Sequence, residues 1–403
     1  MINIAILGFG NIGSGVAELL EQSEVMICKE VQDRINLKYI LDLRDFKGTP
    51  YEDKIVHDIN IITSDPEVSI VCEMMGGLKP AFEYSLACLQ SGKHVITSNK
   101  EVVANFGSLL CDAARDNKVR YLFEASVGGG IPVIRTIRTA YAGSQITAIN
   151  GILNGTTNYI LSQMAEKGEA FEDALREAQR RGYAEANPAA DINGDDSCRK
   201  ICILAALAFG TLVPTSAVSC TGISGVGYRD HEIAAKAGGA IKLIASASMQ
   251  SDGELDIRVS PCFVPGTDQL SRVGDVYNAI RISAERVGDL LLYGQGAGKY
   301  PTAGAVLSDI IDVARRLGGN ESCLEFSENV NGSIICDEAS AKLNFFTAVS
   351  EAPGRVCGVF EDEKIIYSEE GLTAFIVNGI PSARFENTLK SSGLTVLSKF
   401  RTL

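Results

Sequence analysis

The residues best suited to chemistry lie at 182–200, in the run GYAEANPAADINGDDSCRK. Asn187-Pro188 and Asn193-Gly194 are turn signals, so the run begins as a loop. Asp195 or Asp196 is placed to cap a following helix, because a carboxylate there accepts backbone N–H groups that have no partner in the first turn. Asp196 and Lys200 are four residues apart and share one helix face. Lys200 then opens the apolar run KICILAALAFG. An ammonium at the mouth of a buried helix, beside carboxylates, is a setting for a tuned proton donor. The plainer account is a solvated capping loop with an ordinary ion pair, and the rest of the chain must decide between them.

The elements that would position this lysine begin at the first residues. INIAIL (2–7) is a buried run of strand length, and GFGNIG follows, with Gly8, Gly10 and Gly13 in G-x-G-x-x-G spacing. Gly8 permits a tight turn, Gly10 lets backbone approach a pyrophosphate, and Gly13 allows close helix–strand packing. Phe9, Asn11 and Ile12 complete this turn, and the helix that starts there offers N–H groups to phosphate. A second strand is expected at 37–43. At its end Asp42 would accept from a ribose 2′-hydroxyl and favour NAD, whereas Arg44 would pair with a 2′-phosphate and favour NADP; both are present and the choice stays open. SIVCEMMGG (69–77) reads as strand and turn, with Gly76 in the turn. HVITSNK (94–100) is another strand, and it breaks at Ser98-Asn99-Lys100 before a helix over 101–117. In an open α/β sheet, ligands bind at the carboxyl ends of strands, where Gly76, Ser98 and Lys100 fall.

Further along, YLFEASVGGGIPVI (121–134) is strand, glycine turn and helix start, suited either to ion or ligand contact or to a hinge. ITAINGIL (146–153) alternates as a strand of a new sheet, and a helix begins at 154–168 with small polar groups, Gly155 and Thr156 among them. Helices are expected at 171–181, 200–210 and 230–246, a strand at 254–264, and more strand, a glycine turn (Gly294–Gly298) and a long helix over 302–317. Residues 318–341 are polar and read as a linker. From 342 onward the order is βαββαβ.

Bulk composition sets limits. The 403 residues suffice for two or three domains, and 46% apolar with 22% charged residues is ordinary for a globular protein. A net charge of −13 excludes nucleic acid and anionic membrane surfaces as expected partners. No apolar run is long enough to span a bilayer, and Met1 leads straight into a strand, so a cytoplasmic protein is expected. The 11 scattered cysteines, without a C-x-x-C pair, suggest reduced thiols, and with three histidines that lack ligand spacing no zinc site is expected.

Residues 1–317, about three quarters of the chain, resemble homoserine dehydrogenases in several separated motifs. Gly182-Tyr183-Ala184-Glu185, Pro188, Asp191 and Gly194-Asp195-Asp196 through Lys200 resemble the family's substrate loop, with Asn187-Pro188 where the family usually has Asp-Pro. Ser98-Asn99-Lys100 is similar to its Ala-Asn-Lys motif, Asn154-Gly155-Thr156 to a run against the substrate, and Gly294–Gly298 with Pro301-Thr302 to its closing signature. The resemblance implies an α/β fold: a Rossmann domain (1–134 with 295–317), an α+β substrate-binding and dimerisation domain (135–294), a linker (318–341) and a small domain at 342–403. The last, with Pro353-Gly354-Arg355-Val356, resembles an ACT domain.

The implied reaction is the reversible NAD(P)-dependent interconversion of L-homoserine and L-aspartate 4-semialdehyde, in threonine, methionine and isoleucine biosynthesis. Lys200 would be the proton donor and acceptor, with Lys100 second; the two lysines, if close, would lower each other's pKa. Glu185, Asp191, Asp196, Gly155, Thr156 and Tyr183 would hold substrate. Gly298, with Gly8 through Gly13, Arg44, Gly76, Ser98 and Lys100, would contact the cofactor. The family also implies a sodium ion held largely by backbone carbonyls at Glu124, Val127, Gly129 and Ile131, L-threonine as an effector of the tail, and a homodimer or homotetramer. Two rival readings stand beside this one. A phosphorylating semialdehyde dehydrogenase would need a cysteine poised by a histidine, and a non-catalytic sensor would have no use for Lys200.

Overall fold

The computed structural model describes residues 1–250, 253–317, 327–328, 335–369 and 371–403. Its contacts gather into two compact units. One comprises Met1–Gln145, Cys202–Thr215 and Gly294–Val330; the other comprises Ile146–Ile201, Ser216–Tyr293 and Asn331–Leu403. The linker expected at 318–341 lies mostly outside the described residues.

In the first unit the opening apolar run forms β1 (Ile2–Leu7), buried at every position. It pairs in parallel with β2 (Ile35–Leu41) on one side and β4 (Val68–Glu73) on the other. With β3 (Ile55–Val56), β5 (His94–Thr97) and β6 (Tyr121–Leu122) the sheet runs β3-β2-β1-β4-β5-β6. This is the doubly wound order, and it reverses between β1 and β4, where a ligand crevice opens. The strand expected at 37–43 ends at Leu41, so Asp42 stands just beyond the strand. Ile4, Ile6, Ile40, Ile70 and Ile96 are fully buried. Helices Asn11–Gln22 and Lys299–Ala314 close over this sheet, burying Val16 and Ala17 with Ala303, Val306 and Ile310 in one core.

The second unit is built on one long sheet. Its strands are β7 (Ile146–Ile152), β9 (Ser219–Cys220), β10 (Gly239–Met249), β11 (Leu255–Pro265), β12 (Tyr277–Ala284), β13 (Gly288–Gln295), β15 (Lys342–Val349), β16 (Glu363–Glu369), β17 (Leu372–Pro381) and β18 (Val396–Thr402). Among the described residues their order is β13-β12-β7-β10-β11-β18-β15-β17-β16, with β9 pairing β11. A separate short pair, β8 (Thr211–Leu212) with β14 (Ser327–Glu328), belongs to the first unit. The helix expected over 230–246 stops at Lys236, and residues 239–249 are strand β10. Gly238, at φ +77°, ends the helix, and Gly239 lies so close to the Phe263 ring that a Cβ would sit 2.5 Å from it. The apolar run after it is buried because it pairs with β7 and β11 on its two sides. Such a fully enclosed strand lacks the alternation that distinguishes strand from helix.

The last segment has the order βαββαβ, with helices Pro353–Val356 and Ser382–Ser391 and strand order β18-β15-β17-β16, a ferredoxin-like split βαβ arrangement. Phe345 stacks on Phe385 at 3.9 Å, and Phe360 packs on both Phe375 and Phe385. Its sheet is continuous with the rest of the unit. Strand β18 pairs in parallel with β11, and Phe346 stacks on Phe263 at 4.1 Å.

The glycine run 128–130 is explained by packing within the first unit. Gly128 and Gly129 have φ of +79° and +54°, and Gly130 N–H donates to the Gln295 carbonyl at 3.1 Å. A Cβ on Gly129 would lie 2.6 Å from the Gly296 carbonyl carbon. Two glycine turns thus meet backbone to backbone, a contact no side chain could enter. Gly129→Ala combines left-handed strain with overpacking and is expected to cost about 2–4 kcal/mol. A urea midpoint unchanged from wild type would contradict this.

Candidate active site

The first cluster forms at the switch point of the parallel sheet. Gly8, at φ +88°, turns the chain beneath Met74, whose carbonyl oxygen would lie 3.0 Å from a Cβ there. A Cβ on Gly13 would collide with the Gly8 carbonyl, whereas Gly10 faces open space. Backbone N–H groups at Gly10–Ile12 stand at a helix start, an arrangement suited to a pyrophosphate. A cavity of about 460 Å³ adjoins them, lined by Gly8, Gly10, Asp42, Arg44, Met74 and Gly76. Asp42 and Arg44 engage each other there. The Asp42 carboxylate accepts from Phe9 N–H at 2.8 Å and from Arg44 N–H and Nε at 3.0 and 2.9 Å. Burial lifts the Asp42 carboxyl, but the Arg44 guanidinium and the Phe9 N–H outweigh it and hold the pKa at about 2. Arg44 is 61% exposed and lies over the Phe46 ring, 4.6 Å from its centroid.

Lys100 is the first residue of the helix Lys100–Asp116, one residue earlier than expected. Asn99 caps that helix, accepting from Glu101 and Val102 N–H, and its amide donates to the Gly77 carbonyl at 2.8 Å. A cation in the first turn is opposed by the helix dipole, so helix stability does not explain this lysine. The turn before it is held by Glu73, the last residue of β4 and fully buried. Its carboxyl accepts from Met75 N–H at 2.7 Å and Thr97 Oγ1 at 2.6 Å, and Thr97 in turn accepts from Asn99 N–H. Burial pushes Glu73 up to about 7 against these hydrogen bonds, which pull it down. One buried carboxyl thus ties together the two turns that hold Gly76 and Ser98-Lys100. Gly298, at φ +118°, precedes the helix Lys299–Ala314.

The second cluster lies wholly within the other unit. The helix Asp195–Phe209 places Asp196 and Lys200 one turn apart, and both are buried. Lys200 Nζ donates to Asp196 Oδ2 at 2.7 Å and to the Leu153 carbonyl at 2.7 Å. Asn154 completes the arrangement. Its Oδ1 caps the helix Gly155–Lys167 through Thr157 N–H, while its Nδ2 donates to Asp191 at 2.7 Å and Asp196 at 2.9 Å. One amide therefore bridges two carboxylates that would otherwise repel. Asn154 was missed as a site residue in the sequence; its position immediately before Gly-Thr-Thr at a helix start was the available signal.

Other expected residues are placed around this pair. Gly155 passes so close to the Val276 carbonyl that a Cβ would lie 2.6 Å away. Thr156 Oγ1 donates to the Tyr183 carbonyl at 2.6 Å, tying the loop to the helix start, and the Tyr183 ring packs edge-on against Tyr159. Glu185 is exposed on the loop, and among the described residues no hydrogen bond joins its carboxylate to Lys200 or Asp196. Lys100 and Lys200 belong to different units.

At 124–131 the Glu124 carboxylate is occupied by the N–H groups of Ile134 and Arg135, at 2.9 and 2.7 Å, and its carbonyl accepts from Val127 N–H at 3.5 Å. Among the described residues no group of three or more His, Cys, Asp or Glu side chains is arranged to hold a metal. In the first unit's core, burial drives the Cys72 thiol far up and Cys88 to about 12, which opposes the thiolate that nucleophilic attack needs. Among the described residues, no helix is long and apolar enough to cross a membrane.

A doubly wound sheet with a glycine-lined crevice, together with a buried lysine–aspartate pair, defines the class of nicotinamide-dependent oxidoreductases built on a Rossmann unit. Comparison with known proteins narrows this. Residues 8–124 match the family model described as homoserine dehydrogenase, NAD binding domain, and residues 132–311 match the homoserine dehydrogenase model. The chain is 41% identical over 316 residues to the homoserine dehydrogenase of Neisseria gonorrhoeae, covering 78% of this chain and 72% of that one. It is 40% identical over 317 residues to that of Synechocystis, covering 77% and 73%. Among solved structures, a homoserine dehydrogenase from Thiobacillus denitrificans superposes with a TM-score of 0.86 at 29% identity, covering 100% of this chain and 98% of that one. The chain belongs to the homoserine dehydrogenase family. It is accordingly an oxidoreductase that uses NAD or NADP.

Two outcomes follow from this geometry. Asn154→Ala removes the bridge between Asp191 and Asp196 and is expected to lower kcat/KM for homoserine by about 10–100-fold; steady-state kinetics near wild type would refute the bridging role. For Glu73 the folded value of about 7 exceeds the ordinary 4.5. Between those values the native state keeps a proton that the unfolded chain has lost, so stability falls as pH rises through that window. Glu73→Gln should make the decline shallower when unfolding is followed from pH 4.5 to 7, and an identical slope would count against it.

Proposed function

We propose that the two clusters perform the homoserine dehydrogenase reaction with Lys200 as its acid and base. Held at the glycine turn Gly8–Gly13, a nicotinamide cofactor would supply the hydride acceptor for oxidation of L-homoserine and the hydride donor for reduction of L-aspartate 4-semialdehyde. Lys200 gives a proton to the alkoxide oxygen that forms during reduction and takes one from the hydroxyl during oxidation. Asp196, through its hydrogen bond, aims the Lys200 amine, and the Leu153 carbonyl fixes its direction. The observation that carries this reading is the buried Lys200–Asp196 pair with its Asn154 and Leu153 partners. Lys100 assists at the carbonyl. Glu185 and Asp191 receive the substrate ammonium, and Gly155, Thr156 and Tyr183 shape the wall around it. Lys200→Ala should reduce kcat by about 10²–10⁴-fold. Lys200→Arg retains the charge beside Asp196 yet should also fail, because a guanidinium does not give up its proton. A homoserine-dependent rise in reduced nicotinamide at near-normal rate in either variant would sink the assignment.

For the cofactor, the mutual engagement of Asp42 and Arg44 supports NADP. Both Asp42 oxygens are already accepting, whereas the exposed Arg44 can turn to a 2′-phosphate. A hyperthermophilic archaeal homoserine dehydrogenase, 26% identical with a TM-score of 0.66, has been solved in complex with NADPH. Arg44→Ala should cut kcat/KM with NADP by about tenfold or more while leaving the value with NAD within about twofold; equal losses with both would overturn the preference.

A sodium ion is proposed at the carbonyls of Glu124, Val127, Gly129 and Ile131. A hard cation suits such oxygens, and among the described residues the Val127 and Gly129 carbonyls accept no hydrogen bond. The division of labour proposed is a nucleotide domain (1–134 with 295–317), a substrate and dimerisation domain (135–294) and an ACT-like regulatory domain (342–403) that takes L-threonine. The enzyme would be a cytoplasmic homodimer or homotetramer of threonine, methionine and isoleucine biosynthesis. The βαββαβ order and its strand arrangement support the ACT-like reading.

A further inference from the structure

Two thiols meet beside the Lys200–Asp196 pair. Cys198 lies on the helix Asp195–Phe209, between Asp196 and Lys200, and is 4% exposed. Its N–H closes the first turn of that helix on the Gly194 carbonyl at 2.8 Å. Cys220, on β9, is exposed as a residue, with its sulfur turned toward the helix. The Cys220 thiol hydrogen-bonds to the Cys198 sulfur and, at 3.3 Å, to the Asn193 carbonyl. The same sulfur presses on the turn between them: a Cβ on Gly194 would lie 2.9 Å from it. The neighbouring Cys198 sulfur and partial burial hold the Cys220 thiol above its usual pKa, so it rests protonated. A core cysteine acts as a small inert hydrophobe. A buried thiol in contact with one that reaches the surface does not fit that description.

From this contact we infer that Cys198 and Cys220 form a site of reversible oxidation, closing to an intrachain disulfide when a hydroperoxide is present. One sulfur attacks the peroxide O–O bond, becomes a sulfenic acid and releases water. The other sulfur then displaces a second water from it, and the S–S bond forms. Together the two thiols give up two electrons and two protons, and hydrogen peroxide leaves as two waters. A dithiol reverses the step by exchange. Disulfides that form and break in this way are the kind found in reducing compartments.

The bond acts on the substrate loop because its other side is anchored. Ser219 and Cys220 pair with Arg258 and Val259 of β11, and Thr221 N–H donates to the Val259 carbonyl at 2.7 Å. Ile223 N–H donates to the Ile192 carbonyl at 2.9 Å, and a Cβ on Gly222 would lie 2.7 Å from Asn193 Cα. Drawing the two sulfurs into a bond therefore moves Asn193, Gly194 and the first helix turn rather than β9. Oxidation also removes the S–H that Asn193 accepts from. Asn193 and Gly194 join Asp191 to Asp196, the two carboxylates that Asn154 bridges. The expected result is a displaced Lys200–Asp196 pair and slower turnover. That effect on turnover rests on the role proposed for Lys200; the bond itself does not.

The test uses the full chain, reduced, freed of reductant and exposed to hydrogen peroxide. Free thiols are then blocked and peptides mapped by mass spectrometry, with homoserine oxidation followed in parallel. The peptides holding Cys198 and Cys220 should appear joined and two hydrogens lighter. In the same samples kcat/KM should fall by about tenfold or more, as an ångström-scale displacement at a reacting centre does. Dithiothreitol should restore both. Cys220→Ser, which keeps a donor for Asn193, and Cys198→Ala should each match the wild type before oxidation and keep their activity through it. Inactivation without the Cys198–Cys220 link, or equal inactivation of both variants, puts the damage elsewhere and overturns the proposal. A link that leaves kcat/KM unchanged overturns its effect on the site. If the reduced wild type turns over no homoserine, the Lys200 reading fails, and the mapped link still decides the disulfide.

Discussion

A buried ion pair is the constraint to which the Lys200–Asp196 cluster answers. Removing an ammonium and a carboxylate from water costs several kcal/mol each, and the pair survives burial only if their remaining hydrogen-bonding capacity is met. Here Lys200 Nζ also donates to the Leu153 carbonyl, and Asp196 Oδ2 also accepts from the Asn154 amide. Those two partners are consecutive residues at the end of β7, just where the helix Gly155–Lys167 begins. Strand end, helix cap and ion pair are therefore one structure. Gly155 lets this junction sit against the Val276 carbonyl, and Thr156 fastens the loop that carries Tyr183 and Glu185.

The nucleotide crevice is governed by a different physics. Its geometry is set by where backbone can approach backbone, as at Gly8 beneath Met74 and Gly13 against Gly8. Around it the side chains act as ties. Asp42 fastens the glycine turn to the end of β2 through Phe9 N–H, and Glu73 fastens the end of β4 to the turn before Lys100. Both carboxyls are shielded, yet they shift in opposite directions. Asp42 has a guanidinium beside it and falls to about 2, whereas Glu73 has only neutral donors and rises to about 7. Neutral hydrogen bonds do not offset the loss of hydration that a nearby charge can.

The tail is joined to the second unit more firmly than a tethered module would be. Strand β18 continues the sheet beside β11, so removing residues 342–403 would strip a neighbour from β11 and uncover Phe263. Point substitutions are therefore the cleaner probe of what the tail does. Both family models end before it, the latter at residue 311, while the likeness to the Thiobacillus structure extends over the whole chain. Architecture here carries further than sequence.

Much of this protein is local and was legible from residue order alone. The strands at 2–7 and 94–97, the glycine turn at 8–13, the facing of Asp196 and Lys200, and the βαββαβ order of the tail all follow from hydrophobic period, turn chemistry and backbone sterics. What only the tertiary structure decided involves partners distant in sequence. Asn154 meets Asp191 and Asp196 across 37 and 42 residues. The Glu124 carboxylate turned out to serve backbone N–H groups, and the glycines at 128–130 to meet a second glycine turn. Residues 239–249 became strand because β7 and β11 enclose them, although their apolar run fits a helix equally well. In each case the deciding term is burial or a hydrogen bond supplied by another part of the chain, and residue type and spacing within a segment carry no record of it.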